Sequence, residues 1–88
     1  MLEEKIQITN KLGLHARPAA MLVSTASKFK SEIFAIKDGI EVNCKSIMGI
    51  MMLAAETGSW ITLKIDGPDE QQALETIIQM FKENFGEK

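Results

Sequence analysis

The run Gly13-Leu14-His15-Ala16-Arg17-Pro18-Ala19 holds the only histidine of the chain, with an arginine two residues further on. An imidazole with an ordinary pKa of about 6.5 is mostly neutral at pH 7 and can itself attack phosphorus. The phosphoramidate so formed carries added negative charge. If a helix begins at this point, the amides of Ala16 and Arg17 have no intrahelical partner, and the aligned peptide dipoles place partial positive charge beside the ring. With the Arg17 guanidinium, those amides can satisfy an anion without a metal. A lone histidine here could equally cap its helix or face solvent. Three features weigh toward phosphoryl chemistry: the helix start, an arginine within one turn, and neighbours Gly13, Ala16 and Ala19 small enough for another protein to approach.

Other chemistries find less support. A hydrolytic triad needs a histidine base and an orienting acid around a serine or cysteine, and no serine stands in such a motif. One histidine and one cysteine give no ligand set for zinc, and Cys44 cannot form an internal disulfide; it reads as a small buried hydrophobe. No cofactor is called for. The net charge of −2, with both signs interleaved, leaves no basic footprint for nucleic acid or an anionic membrane. The longest apolar stretches, over 14–23 and 47–55, are too short or too interrupted to span a bilayer, and Met1-Leu2-Glu3-Glu4 is not a secretory start. A cytoplasmic chain is expected. Eighty-eight residues, 45% apolar and 25% charged, are expected to form one compact domain over 1–88.

The elements that must position His15 follow from periodicity. Lys5-Ile6-Gln7-Ile8-Thr9 alternates as a half-buried strand does, and residues 10–13 read as loop. Over 16–29 the apolar positions Ala19, Leu22, Val23, Ala26 and Phe29 follow helical spacing. Pro18 is tolerated only in the first turn, which sets the helix start at His15 or Ala16. Ile33-Phe34-Ala35-Ile36 and Ile40-Glu41-Val42 flank Asp38-Gly39, a pair suited to a type I′ hairpin turn. Trp60-Ile61-Thr62-Leu63-Lys64-Ile65 alternates again, with Ile61, Leu63 and Ile65 on one face. Asp66-Gly67-Pro68-Asp69-Glu70 signals a helix start, and the helix that follows is predicted to bury Leu74, Ile77, Ile78, Phe81 and Phe85 before stopping near Gly86. The order β-α-β-β-α-β-α predicts an α+β open-faced sandwich: a four-stranded, mostly antiparallel sheet with three helices on one face.

Lys45-Ser46-Ile47-Met48-Gly49-Ile50-Met51-Met52-Leu53 is the second informative stretch. Ser46 suits an N-cap, because its oxygen can accept from an orphan amide of the first turn. The helix it opens has almost no polar side. Ile47, Ile50 and Met51 share one side and Met48, Met52 and Ala55 lie near another, so a short helix on a small sheet cannot bury both. Either some methionines are exposed for adaptable docking or the helix sits deeper in the core; periodicity alone leaves both open.

Together, the run around His15 and the run Lys45-Ser46-Ile47-Met48-Gly49 resemble the HPr family of phosphocarrier proteins of the bacterial phosphotransferase system. The resemblance extends over the chain's length, its element order and the Gly-Pro-Asp-Glu start of the last helix. It implies that His15 takes a phosphoryl group on Nδ1 from phosphorylated enzyme I, charged by phosphoenolpyruvate, and passes it to an enzyme IIA domain, with Arg17 assisting. It implies a carrier rather than an enzyme, working as a monomer. Ile47, Met48 and Met51, with Ala20, match the docking patch for these partners, which favours exposure. Ser46 matches a serine phosphorylated in some bacteria by the HPr kinase/phosphorylase, although a serine there would serve as a plain N-cap in any case. Leu12, Ser24, Ser27 and Ala54 depart from the commoner sugar-transport pattern. Leu12 and Gly67-Pro68 are similar to the nitrogen-related branch, NPr. A regulatory module docking to a transcriptional regulator is the alternative function. A small ligand-sensing domain is another, but no glycine-rich phosphate loop supports it.

Overall fold

A computed structural model describes residues 1–87. The strands are β1 (Leu2–Gln7), β2 (Glu32–Lys37), β3 (Ile40–Asn43) and β4 (Trp60–Asp66), and the helices are α1 (Ala16–Ala26), α2 (Ile47–Leu53) and α3 (Glu70–Lys82). The sheet order is β1-β4-β2-β3, with every neighbouring pair antiparallel. Alternation fixes the register. Ile65 lies opposite Leu2 and Ile33, and Leu63 lies opposite Ala35, so Ile61, Leu63 and Ile65 share the covered face and are fully buried.

The three helices cover that face. Ala19, Leu22 and Ala26 of α1, Ile50 and Leu53 of α2, and Ala73, Leu74, Ile77 and Phe81 of α3 close the core over the sheet. Each set recurs at three- and four-residue spacing, which places it on one stripe of its helix. The β2–β3 hairpin turns at Asp38 and Gly39, whose φ angles of 51° and 81° are the positive pair a type I′ turn requires. Cys44 is buried, and burial pushes its thiol up to about 12, so it stays protonated and acts as an apolar filler.

Strands β2, β3 and β4 run a residue longer at one or both ends than the sequence reading, and three elements differ by more. Strand β1 begins at Leu2 and ends at Gln7 rather than covering 5–9. The chain remains tied beyond it through Ile8, whose amide donates to Ser59 O at 2.8 Å. Helix α1 stops at Ala26, short of Phe29, because the next amides close tighter turns, Lys28 N to Thr25 O and Phe29 N to Ala26 O. Helix α3 ends at Lys82 instead of near Gly86, and a 3-10 turn spans Asn84–Gly86. Asn84 and Phe85 have φ of 52° and 54°, which breaks the helical path. Phe85 is still buried, since the turn swings its ring edge-on to Phe81 at 4.8 Å between centroids, while Ile78 is only half-buried.

Candidate functional site

Helix α1 opens at His15, the N-cap, with extended φ and ψ of −76° and −174°. Its carbonyl accepts the first helical bond from Ala19 N at 2.8 Å, but its side chain makes no capping bond. Pro18 is the third helical residue and has no amide hydrogen to satisfy. The amides of Ala16 and Arg17 therefore remain without an acceptor among the described residues. No acidic residue lies in this first turn. His15, Ala16 and Arg17 are all exposed, and Arg17 makes no ion pair among the described residues.

The loop that delivers His15 is fixed from behind. Leu14 N donates to Ala55 O at 2.9 Å, and Gly13 turns with φ of 66°. A Cβ on Gly13 would lie 2.5 Å from Ala55 O, so both the close approach and the backbone conformation require glycine.

His15 lines an open depression of about 260 Å³ with Leu14, Met51, Ala54, Ala55 and Glu56. Arg17 lines a neighbouring, smaller one of about 70 Å³ with Pro18, Met21, Phe85, Gly86 and Glu87. The histidine and the arginine thus lie two positions apart at the same helix start while lining different concavities. Neither Glu56 nor Glu87 was singled out by sequence, because both reach the site through the fold and no spacing rule links them to His15.

Helix α2 answers the question its composition left open. Met48 and Met52 are each 71% exposed, with Met51 at 45% and Ile47 at 42%, while Ile50 and Leu53 face the core. Four large apolar side chains on two turns form a surface patch, which Met51 brings to the edge of the His15 depression. Ala20 is exposed on α1, which packs against α2. Ser46 caps α2, its Oγ accepting from Gly49 N at 3.1 Å. Ala54, at the other end of α2, borders the His15 depression, so seven helical residues, about 10 Å, separate Ser46 from that edge.

Among the described residues, no three His, Cys, Asp or Glu side chains come together as a metal-binding group, and no helix is long and apolar enough to cross a membrane. Among the described residues, the arrangement offers an exposed imidazole ring, two amides without an acceptor, a guanidinium without an ion pair and an apolar surface beside them. A family model described as the PTS HPr component phosphorylation site matches residues 2–83. The phosphocarrier protein HPr of Xylella fastidiosa is 51% identical over 87 residues, covering 99% of this chain and 98% of its own. The crystal structure of HPr from Thermoanaerobacter tengcongensis superposes with a TM-score of 0.97 at 49% identity, covering 100% of this chain and 99% of that one. Crh of Bacillus subtilis, a catabolite repression protein seen as a swapped dimer, is 48% identical with a TM-score of 0.76, covering 96% of this chain and 97% of its own. The chain belongs to the HPr family of phosphocarrier proteins.

Proposed function

We propose that His15 is the phosphoryl acceptor and donor of this phosphocarrier. In acceptance, the neutral ring attacks the phosphorus of phosphorylated enzyme I through Nδ1; one N–P bond forms at His15 as the donor's N–P bond breaks. Passage to an enzyme IIA domain repeats the exchange in the other direction. The Ala16 and Arg17 amides and the Arg17 guanidinium receive the added charge, and Ala20, Ile47, Met48 and Met51 form the surface on which both partners dock. Such docking is brief, which suits a small apolar patch with a polar rim. The protein works in the cytoplasm, as a monomer, and carries the group rather than catalysing a reaction of its own.

The observation that carries this reading is the helix start with two open amides beside an exposed histidine; the family match over residues 2–83 supports it. Radiolabelled phosphoenolpyruvate with enzyme I tests it. The unsubstituted protein takes up acid-labile label and His15→Ala takes up none, although it folds; undiminished labelling of His15→Ala would refute the assignment.

Ser46 supports a regulatory layer. It is exposed at the N-cap of α2, immediately before Ile47 and Met48, so a phosphate there would set negative charge against the apolar docking patch without unfolding the helix. The HPr kinase/phosphorylase and a transcriptional regulator are the partners for that layer. The likeness to Crh favours a second reading, in which docking to a regulator dominates and His15 is seldom used. Label uptake from phosphoenolpyruvate at an ordinary rate would remove it.

A further inference from the structure

The loop that carries His15 is held on its second side by the C-terminal segment. Glu87 Oε2 accepts from Asn10 Nδ2 at 2.9 Å and Glu87 Oε1 accepts from the Lys11 amide at 3.1 Å, so one carboxylate grips two consecutive residues across 76 and 77 positions of sequence. Asn10 is only 2% exposed, and the same Nδ2 donates to Gly13 O at 2.7 Å. With two acceptors drawing on Nδ2 and its buried Oδ1 left without a partner, the amide orientation is set by this network. Thr9 Oγ1 adds a bond to Asn84 Oδ1 at 2.6 Å.

The segment that presents Glu87 is itself held in an unusual course. Asn84, Phe85 and Gly86 have φ of 52°, 54° and 78°, a left-handed path that L residues follow only when their surroundings enforce it. Phe85, 5% exposed against Phe81, supplies that enforcement. The strain delivers a carboxylate to the loop five residues before His15 and to no other described hydrogen-bond donor.

We propose that Glu87 is a positioning residue for phosphoryl transfer: by clamping Asn10 and Lys11 it fixes residues 9–13, and through them the approach of the His15 ring to the donor phosphorus. The inference rests on the phosphocarrier reading above. Ala55 holds the loop from one side and Glu87 from the other, so releasing Glu87 lets the loop pivot about its Leu14–Ala55 bond. Docking is unaffected, because the apolar patch lies on α2 and at Ala20 of α1, outside residues 9–13. Misplacement of the ring should therefore lower the rate at saturating enzyme I and leave the KM for this chain unchanged.

Glu87→Gln tests this. It keeps shape but presents an NH2 group to one of two donors, so one of the two bonds is lost. The transfer rate constant at saturation is expected to fall about tenfold, with KM and the final extent of labelling unchanged and the Lys11 amide resonance shifted. Should Glu87→Gln prove unstable, Glu87→Ala is measured below its melting temperature beside Phe85→Leu. The Phe85→Leu protein, weakened in the same turn with the carboxylate intact, is expected to keep the higher rate. An unchanged rate with a shifted Lys11 resonance would overturn the clamp. So would a faster rate, which would make Glu87 a charge that opposes Arg17 across their shared depression. Failure of the unsubstituted protein to take up label would instead remove the phosphocarrier reading itself, and the clamp with it.

Discussion

Helices α1 and α2 begin in opposite ways. At α2, Ser46 folds its hydroxyl back onto the Gly49 amide, while the Ile47 and Met48 amides have no acceptor among the described residues. At α1, the His15 side chain caps nothing, Pro18 contributes no amide, and the Ala16 and Arg17 amides have no acceptor among the described residues. Helix α3 follows a third course: the Asp69 carboxylate at its N-cap accepts from the Ser31 hydroxyl and the Lys30 and Ser31 amides, so it fastens the entry of β2 instead. Every helix start has orphan donors and the positive end of a dipole. What sets the start of α1 apart is what stands beside its open amides: an exposed imidazole that makes no capping bond and an exposed guanidinium with no ion pair among the described residues.

The largest effect expected from this contrast concerns Arg17. Its guanidinium has no ion pair to lose among the described residues, so Arg17→Glu should leave the melting temperature within a few degrees. Reversing the charge where the phosphoryl group arrives should slow its exchange with enzyme I by about a hundredfold or more, the scale of a lost transition-state donor. Stopped-flow quench measurements with labelled enzyme I would show it. Unchanged exchange would take Arg17 out of the mechanism and leave the amides as the only receptive groups.

Stability separates the two caps more directly. Ser46→Ala removes a made bond and should cost about 1 kcal/mol, a fall of roughly 4–8 °C in a domain of this size. His15→Ala removes none and should move the melting temperature far less. Calorimetry on both variants gives the comparison, and the reverse order would mean that His15, not Ser46, is the structural cap.

The α3 start adds a pH dependence. The hydrogen bonds from the Ser31 hydroxyl and the Lys30 and Ser31 amides hold the Asp69 carboxyl down to about 2, below its ordinary value of 3.8. A depressed folded-state pKa stabilises the fold above the unfolded value, and that contribution is lost as pH falls from about 4 toward 2. Asp69→Asn should be less stable at neutral pH and should lose less on acidification across that window. Thermal melts at pH 7, 4 and 2 would check it; parallel acid profiles for the two proteins would count against this role.

Much of this was readable without coordinates wherever a local rule and the tertiary fold agree. Asp38-Gly39 announces its turn because only a positive-φ pair closes a two-residue hairpin with the right twist, and Ile61, Leu63 and Ile65 announce a face because strand alternation has no other use for them. His15 and Ser46 stand at helix starts for reasons visible in the neighbouring proline and in the serine itself. The exposure of α2 was undecided, since composition does not say how deep a short apolar helix sits. Phe85 was misplaced onto α3 because its spacing is helical although its backbone is not. Glu56 and Glu87 were invisible for a stronger reason: the first reaches His15 only when the connection after α2 meets the loop before α1, the second only when the C-terminal turn meets that loop.

Ala54 gives the smallest expected effect and bears on how α2 ends rather than how it starts. It closes the helix at φ 50° and ψ 43°, a left-handed conformation that costs an alanine about 1–2 kcal/mol and a glycine nearly nothing. Glycine also widens the freedom of the unfolded chain, which offsets about 0.4–1 kcal/mol of that gain. Ala54→Gly should therefore stabilise the protein by about 0.5–1 kcal/mol and raise the melting temperature by roughly 2–8 °C. Residue 54 borders the depression that holds His15, yet it presents only a methyl group there, so the labelling rate should stay as it was. A lower melting temperature would mean that α2 does not end in a left-handed turn. A slower rate at higher stability would mean that the Ala54 methyl helps to seat the incoming partner, and would extend the docking patch from the start of α2 to its end.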